Sequence, residues 1–269
     1  MDELGFDFND AAAWFHHQQN EPFALVKLTE EQVNQLIDRA GVAVRRCYIS
    51  DQKIIDASNM SGLPKEQVLA SRLPSPGSTM AGDFGEILGY FYQSTKELPG
   101  FAIGVKKWRL KQDRTKPAPK SDVVHFVMPH RPQASGEDSL LCAEVKVKST
   151  SGSSTPITSA IEDSGKDQTS RLASTLVWLR ERAITEPEQL GDVDIPLLNR
   201  FINLVDHPPI DRRFHAIAVI CEGLVDQELI VAPDEVDPNF SLLVIVVPHL
   251  KETYESLFSS LSNTLEYLI

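Results

Sequence analysis

The chain of 269 residues is 42% hydrophobic, 24% charged and 7% aromatic, the profile of a folded protein with mass for one large domain or two unequal ones. Its 26 basic and 38 acidic residues leave a net charge of −12, which opposes indiscriminate attraction of nucleic acid, so any such contact has to be local, metal-bridged or assisted by a partner. Cys47, Cys142 and Cys221 show no CxxC spacing, which argues against a zinc knuckle and for packed thiols in a reducing compartment.

In chain order, the first twenty residues carry no long period. Phe6, Phe8, Trp14 and Phe15 are nevertheless too apolar for a free tail and are expected to dock on this chain or on a neighbour. The opening MDELGFDFND is acidic where a signal peptide would be basic and then apolar, so a cytoplasmic location is expected. Residues 22–28 read as a short strand. Thr29 to Gln32 then form a capping box, with Leu28 and Val33 as a hydrophobic staple. Val33, Leu36, Ile37 and Ala40 make one helical face, and Gly41 is the expected stop. Residues 43–50 are expected to be extended, 64–73 to form a short helix opened by Pro64, and 73–78 to turn.

From Met80 the pattern sharpens. Phe84, Ile87, Leu88 and Phe91 predict a helix over residues 81–94, with Glu86 on another face and Gly82, Gly85 and Gly89 permitting close backbone approach. Residues 101–111, 122–128 and 140–148 read as three strands, 149–159 as a loop and 168–182 as an amphipathic helix. A helix at 196–205 and strands at 214–220 and 242–247 follow. A closing helix carries Tyr254, Phe258, Leu261, Leu265 and Leu268 on one side. The run Ser241–Val247, stopped by Pro248, is far short of the ~20 residues that span a bilayer, so no membrane association is expected. Strands interleaved with helices predict an α/β fold, a mixed sheet covered on both faces. Residues 1–75 would form an N-terminal α/β lobe beside a domain over 76–269.

The third of these strands carries the chemistry. Cys142, Glu144, Lys146 and Lys148 point to one face, and Leu141, Ala143, Val145 and Val147 to the other. A carboxylate and an ammonium two residues apart suit metal-assisted phosphodiester hydrolysis: the acid binds a hard cation while the lysine orients or polarises the attacking water. Asp122 would supply a second carboxylate. The triplet alone is weak, since Asp51-Gln52-Lys53 repeats it elsewhere. Its context strengthens it: Glu86 in a Gly-rich helix, Asp122 opening a strand, then Glu144-Val145-Lys146.

This order resembles the PD-(D/E)XK nuclease superfamily, and GDFGEILGYFYQ, KKWRLKQDR, KSDVVHF and CAEVKVKS together resemble the HamA-type nuclease subunit of Hachiman anti-phage defence systems. The resemblance implies a restriction-endonuclease-like core of helix, three strands, helix and strand over about residues 80–222. It further implies a DNA endonuclease in which Glu86, Asp122 and Glu144 bind Mg²⁺, with Mn²⁺ as a substitute, and Lys146 assists the nucleophile. A superfamily 2 helicase, HamB-like, would be the partner. Ser121 stands where the superfamily's proline would precede Asp122.

Each residue has a plainer reading. Glu144 and Lys146 would be a solvated strand face, Glu86 an exposed helix residue and Asp122 a turn cap. Lys106, Lys107 and Arg109, with Trp108 between them, would either track a phosphate backbone or form a soluble edge. Lys166, Gln168 and Arg171 would meet phosphate at a helix start. His125 reads as packed, and His16-His17 lacks partners at metal-ligand spacing. P-loop, HExxH, GxSxG and GxGxxG motifs are absent, so the chain is not itself an ATP-driven motor. The alternative to a nuclease is a non-catalytic adaptor that uses the apolar N-terminal segment and the C-terminal helix to bind a partner.

Overall fold

A computed structural model describes residues 3–18, 23–96, 102–203, 205–208, 210–233 and 240–268. Pro22, Phe101, Leu204 and Ile269, at the ends of expected elements, and residues 1–2 and 19–20 of the N-terminal stretch lie outside the described residues.

The elements run α1 (Phe8–Ala12), β1 (His17–Gln18), β2 (Ala24–Lys27), α2 (Glu30–Tyr48), α3 (Asp51–Ser61), α4 (Lys65–Arg72), α5 (Ser78–Lys96) and β3 (Ala102–Gly104). There follow β4 (Val123–Val127), β5 (Ser139–Lys148), α6 (Pro156–Lys166), α7 (Leu172–Thr185), α8 (Pro187–Leu190), α9 (Ile195–Ile202), β6 (Asp211–Cys221), α10 (Val225–Leu229), β7 (Ser241–Val247) and α11 (Leu250–Ser260). Among the described residues one mixed sheet of seven strands has the order β1-β2-β7-β6-β5-β4-β3. β3, β4 and β5 form an antiparallel meander, whereas β5, β6, β7 and β2 are parallel. The stretch from α5 to β6 therefore has the order expected of a restriction-endonuclease-like core.

Alternation along the central strands sorts two cores. Ala143, Val145, Ile217 and Ile245 meet Phe84, Ile87, Val44 and Leu257 from α5, α2 and α11. On the other face Leu140 and Cys142 meet Leu172, Leu176 and Phe201 of α7 and α9, while Ala216 and Ala218 meet Ile157 and Ala160 of α6. Helices thus cover both faces, which explains why the central strands are apolar on both sides. Cys47 and Cys142 are buried and Cys221 is half-buried.

The capping box forms as expected, with the Thr29 N–H donating to Gln32 Oε1 and the Gln32 N–H to Thr29 Oγ1. Gly41 does not stop that helix. α2 runs on to Tyr48, through residues expected to be extended, and a Cβ at Gly41 would lie 3.0 Å from Thr264 Cγ2. This glycine admits the C-terminal turn rather than ending a helix. The expected strand over 101–111 is short: β3 ends at Gly104, and Lys107–Leu110 form a helical turn. α6 begins at Pro156, inside the expected loop. The segment expected as an N-terminal lobe contributes β1 and β2 to the same sheet and α1 and α2 to the same core, where the Phe6 ring stacks on Phe91 at 5.3 Å.

A candidate active site at the open end of β5

β4 begins at Val123, opposite Ala143, but β5 continues to Lys148. Past Ala143 the central strand has lost its antiparallel neighbour. Asp122, the residue before β4, takes over at that point: its Oδ2 accepts the Val145 N–H at 2.9 Å. It is not a cap of its own turn, because its carboxylate serves the next strand. On the other side β6 places Ala216 and Ala218 opposite Glu144 and Lys146, and their small side chains let α6 pack closely beside that pair. The result is a cleft of about 720 Å³ between α5 and α6, bordered by Gly82, Glu86, Asp122, Glu144, Lys146 and Arg171.

Glu144 is 3% exposed. Its Oε1 accepts from Lys146 Nζ at 2.6 Å and its Oε2 from Arg171 Nη2 at 2.6 Å. Burial, reinforced by the Asp122 charge, pushes its pKa up to about 7 in spite of both cations. Lys146 Nζ also lies 2.6 Å from Asp163 Oδ2. Burial would lower the Lys146 pKa, but the bonds to Asp163 and Glu144 reverse this and hold it at about 12. Burial likewise opposes ionisation of Asp163, yet Lys146 and Lys166 hold its pKa at about 2. Lys146 is therefore an ammonium at neutral pH, a donor rather than a base.

Behind Asp122, Lys107 is 3% exposed and spans two acids, with Nζ 3.3 Å from Asp122 Oδ1 and 3.4 Å from Glu86 Oε2. Glu86 Oε2 also accepts Trp108 Nε1–H at 2.9 Å. Burial raises the Glu86 carboxyl well above its ordinary range, more than Lys107 lowers it. α5 delivers Glu86 because glycines seat that helix on the sheet. A Cβ at Gly85 would collide with Val147, and one at Gly89 would lie 3.2 Å from Ile217. Gly82 meets nothing within 4 Å and lines the cleft instead.

The profile of the HamA family matches residues 8–261, from α1 to the turn after α11. The chain belongs to the HamA family. That membership carries the context of Hachiman defence, and comparison with curated proteins finds no match.

Three cations expected either to track a phosphate backbone or to form a soluble edge are instead placed inside this HamA chain. Lys106, Lys107 and Arg109 are 1%, 3% and 3% exposed. Lys106 pairs with Glu3 at 2.9 Å, and Arg109 donates to the Arg46 carbonyl and to Glu3. Their charge is spent on internal acceptors, so they offer none at the surface. Gln168 is exposed on the turn between α6 and α7, while Arg171, from the same turn, is directed to Glu144. His125 is buried and packed, bonded to Gln93 and Ser94, its pKa pushed down to about 3 by burial. In the decoy triplet Asp51 pairs with Arg45 and Arg46, and Lys53 faces Glu188.

Asp163 and Asp167 of the HamA site were not anticipated from sequence. Both follow from α6, whose signal is Pro156 at its first turn and the spacing of buried Ile157, Ala160 and Ser164. Asp167–Arg171 form one wide π turn joining α6 to α7, a local insertion frequent at functional sites.

Among the described residues, no group of three or more His, Cys, Asp or Glu converges at metal-ligand geometry. Of the four carboxylates that border the cleft, Asp163 is paired with Lys146 and Lys166, while Asp122 and Glu144 act on each other, the Asp122 charge raising the Glu144 pKa. Such a pair suits a hard cation that takes its remaining ligands from water and phosphate. Glu86 is turned instead to Trp108 and Lys107.

Proposed function

We propose that this HamA chain is a metal-dependent DNA endonuclease, the effector of a Hachiman anti-phage complex acting in the cytoplasm. The observation that carries the reading is the Glu144 and Lys146 pair on the open end of β5, beside Asp122, in a cleft wide enough for a phosphodiester. Asp122 and Glu144 would hold Mg²⁺, or Mn²⁺ in its place, which when bound supplies Lewis acidity for phosphodiester hydrolysis. Lys146, kept an ammonium by Asp163, orients the attacking water and steadies charge on the phosphate. Glu86 anchors Lys107 beneath Asp122, and so fixes the second carboxylate from behind.

Exposed Lys120 and Lys251 line the same cleft and would meet the DNA backbone in place of the buried cations of residues 106–109. Two local lysines on a chain of net charge −12 give weak binding. A helicase partner that loads DNA accounts for that weakness, and it keeps the nuclease idle on host DNA. The adaptor alternative is disfavoured by where its surfaces went. Phe6, Phe8, Trp14 and Phe15 are buried in the chain's own core, and Tyr254, Leu257 and Leu261 of the C-terminal helix and turn are buried with them. No helix among the described residues is long and apolar enough to cross a membrane.

The test is cleavage of plasmid and linear DNA by the purified chain, with and without Mg²⁺ and with a co-expressed helicase. Glu144→Ala/Lys146→Ala is expected to keep its thermal transition and lose metal-dependent cutting. Full cutting by that variant would sink the site assignment; no cutting by the wild type with its partner present would favour the adaptor.

A further inference from the structure

Arg171, the last residue of the π turn between α6 and α7, reaches Glu144. Its guanidinium is anchored first to its own turn: Nε donates to Asp167 Oδ1 at 2.7 Å, and Nη2 donates to Asp167 Oδ2 at 3.0 Å and to the Asp163 carbonyl at 2.7 Å. Asp167 is 2% exposed and is fixed in turn by the Ser121 hydroxyl, which donates to it at 2.7 Å. The bond from Nη2 to Glu144 Oε2, 2.6 Å, is the arginine's single bond to the sheet among the described residues. Lys146 holds the other oxygen. Both oxygens of this carboxylate are thus engaged by the chain's own cations, and an entering cation meets the charge of both.

The two are not equally placed to yield. Lys146 springs from the same strand as Glu144, two residues on, so its tether keeps it near that carboxylate even when its ammonium turns to Asp163. Arg171 keeps its Asp167 fork after leaving Glu144, its side chain is 25% exposed at the cleft, and its Nη1 makes no hydrogen bond among the described residues. It has an anchor and somewhere to go.

We infer that Arg171 is a positioning residue that holds Glu144 in the resting chain, and that a divalent cation takes its place on Glu144 Oε2. This rests on the metal reading of the site given above and adds to it a threshold: the cation must compete with a guanidinium already seated. A charge-assisted hydrogen bond given up at loading makes the resting chain bind metal more weakly than its two carboxylates alone would.

The experiment is titration of Mn²⁺ into the full chain by calorimetry at one fixed pH, which needs no catalysis. Arg171→Gln alone leaves buried Asp167 short of a partner, so the informative variant is Asp167→Asn/Arg171→Gln, checked for folding by its thermal transition. It is expected to bind Mn²⁺ about ten-fold more tightly than the wild type, equivalent to about 1.4 kcal/mol. The double variant leaves the net charge unchanged, whereas Lys166→Gln removes one positive charge near the cleft from an exposed side chain that does not touch Glu144, and is expected to shift the affinity by less than about two-fold. Glu144→Ala is expected to abolish binding in both backgrounds. The inference is overturned if the double variant binds no more tightly than Lys166→Gln while Glu144→Ala still abolishes binding; in that case Arg171 is structural and the metal reading survives. If no Mn²⁺ binding in any background depends on Glu144, the metal reading itself falls and takes the inference with it.

Discussion

Asp122 and Glu144 stand side by side because one is the residue before β4 and the other is the first residue of β5 beyond Ala143, the partner of Val123. The antiparallel register, not a loop, sets their spacing, and the Val145 N–H bond ties the Asp122 carboxylate to the strand that carries Glu144. Their repulsion is therefore built into the sheet, and it is one reason the Glu144 pKa stands at about 7.

Asp122→Asn is expected to lower the Glu144 pKa from about 7 while leaving it above the ordinary 4.5, because burial, the larger cause, persists. The consequence for stability has a definite sign. A folded-state pKa above the unfolded one means that the native chain holds the extra proton, so this group stabilises the fold below pH 4.5 and that contribution is lost as pH rises through 7. Carboxyl NMR of Glu144 reads the shift directly. Urea unfolding of wild type and Asp122→Asn between pH 4.5 and 7 reads the linkage, and the variant should show the shallower loss from this group.

Lys107→Met tests the burial of the basic stretch. Removing the ammonium leaves Glu86 and Asp122 facing each other without it, and breaking a buried pair of this kind costs about 3–5 kcal/mol. Adding Glu86→Gln is expected to recover part of the loss. Urea midpoints of the single and double variants decide it. A Lys107→Met chain of wild-type stability that bound DNA less well would return Lys107 to the surface role that its sequence neighbourhood invites.

That stretch shows where sequence reading ran out. β5 was legible since alternation over Leu141 to Lys148 fixes which side chains share a face, and a strand can obey that rule in only one way. α5 was legible because Phe84, Ile87, Leu88 and Phe91 repeat at helical spacing. Lys106, Lys107 and Arg109 were not, because a basic residue looks the same in sequence whether its partner is a phosphate or a buried carboxylate, and the partners Glu3, Glu86 and Asp122 lie far off along the chain. Asp163 was lost for a different reason: the Ser/Thr/Gly composition of residues 149–155 carries past Pro156 and masks the start of α6. Gly41 carries one signal with two causes, a helix stop or a close approach, and only the partner Thr264 distinguishes them.

The two glycines of α5 that differ most in surroundings give opposite expectations. Gly82→Ala meets nothing within 4 Å and should stabilise the helix by about 0.5–1 kcal/mol through propensity. Gly85→Ala drives a methyl group into Val147 of β5, an overpacking cost of about 1–3 kcal/mol that exceeds the propensity gain. Thermal unfolding of the two variants should bracket the wild type. Equal stability of both would mean that α5 is not seated on β5 this closely, and Glu86 would lose its route to Lys107.

Lys120 and Lys251 offer the remaining prediction, which turns on salt. Lys120 holds a left-handed backbone at φ 76°, and its exposed side chain reaches the cleft from the loop before β4; Lys251 reaches it from the start of α11. Each phosphate contact removed should flatten the dependence of log affinity on log salt by about 0.9 for duplex DNA. Lys120→Ala and Lys251→Ala are each expected to weaken binding alike across sequences and to flatten the slope by about that amount, with the double variant flattening it by about twice as much. Anisotropy titrations in Ca²⁺, across a salt series and with the helicase present, measure this without cleavage. Weaker binding with an unchanged slope would mean that the lysines shape the cleft without touching the backbone. A slope that moves for Lys120 alone would place the duplex on the β4 side of the cleft, away from α11.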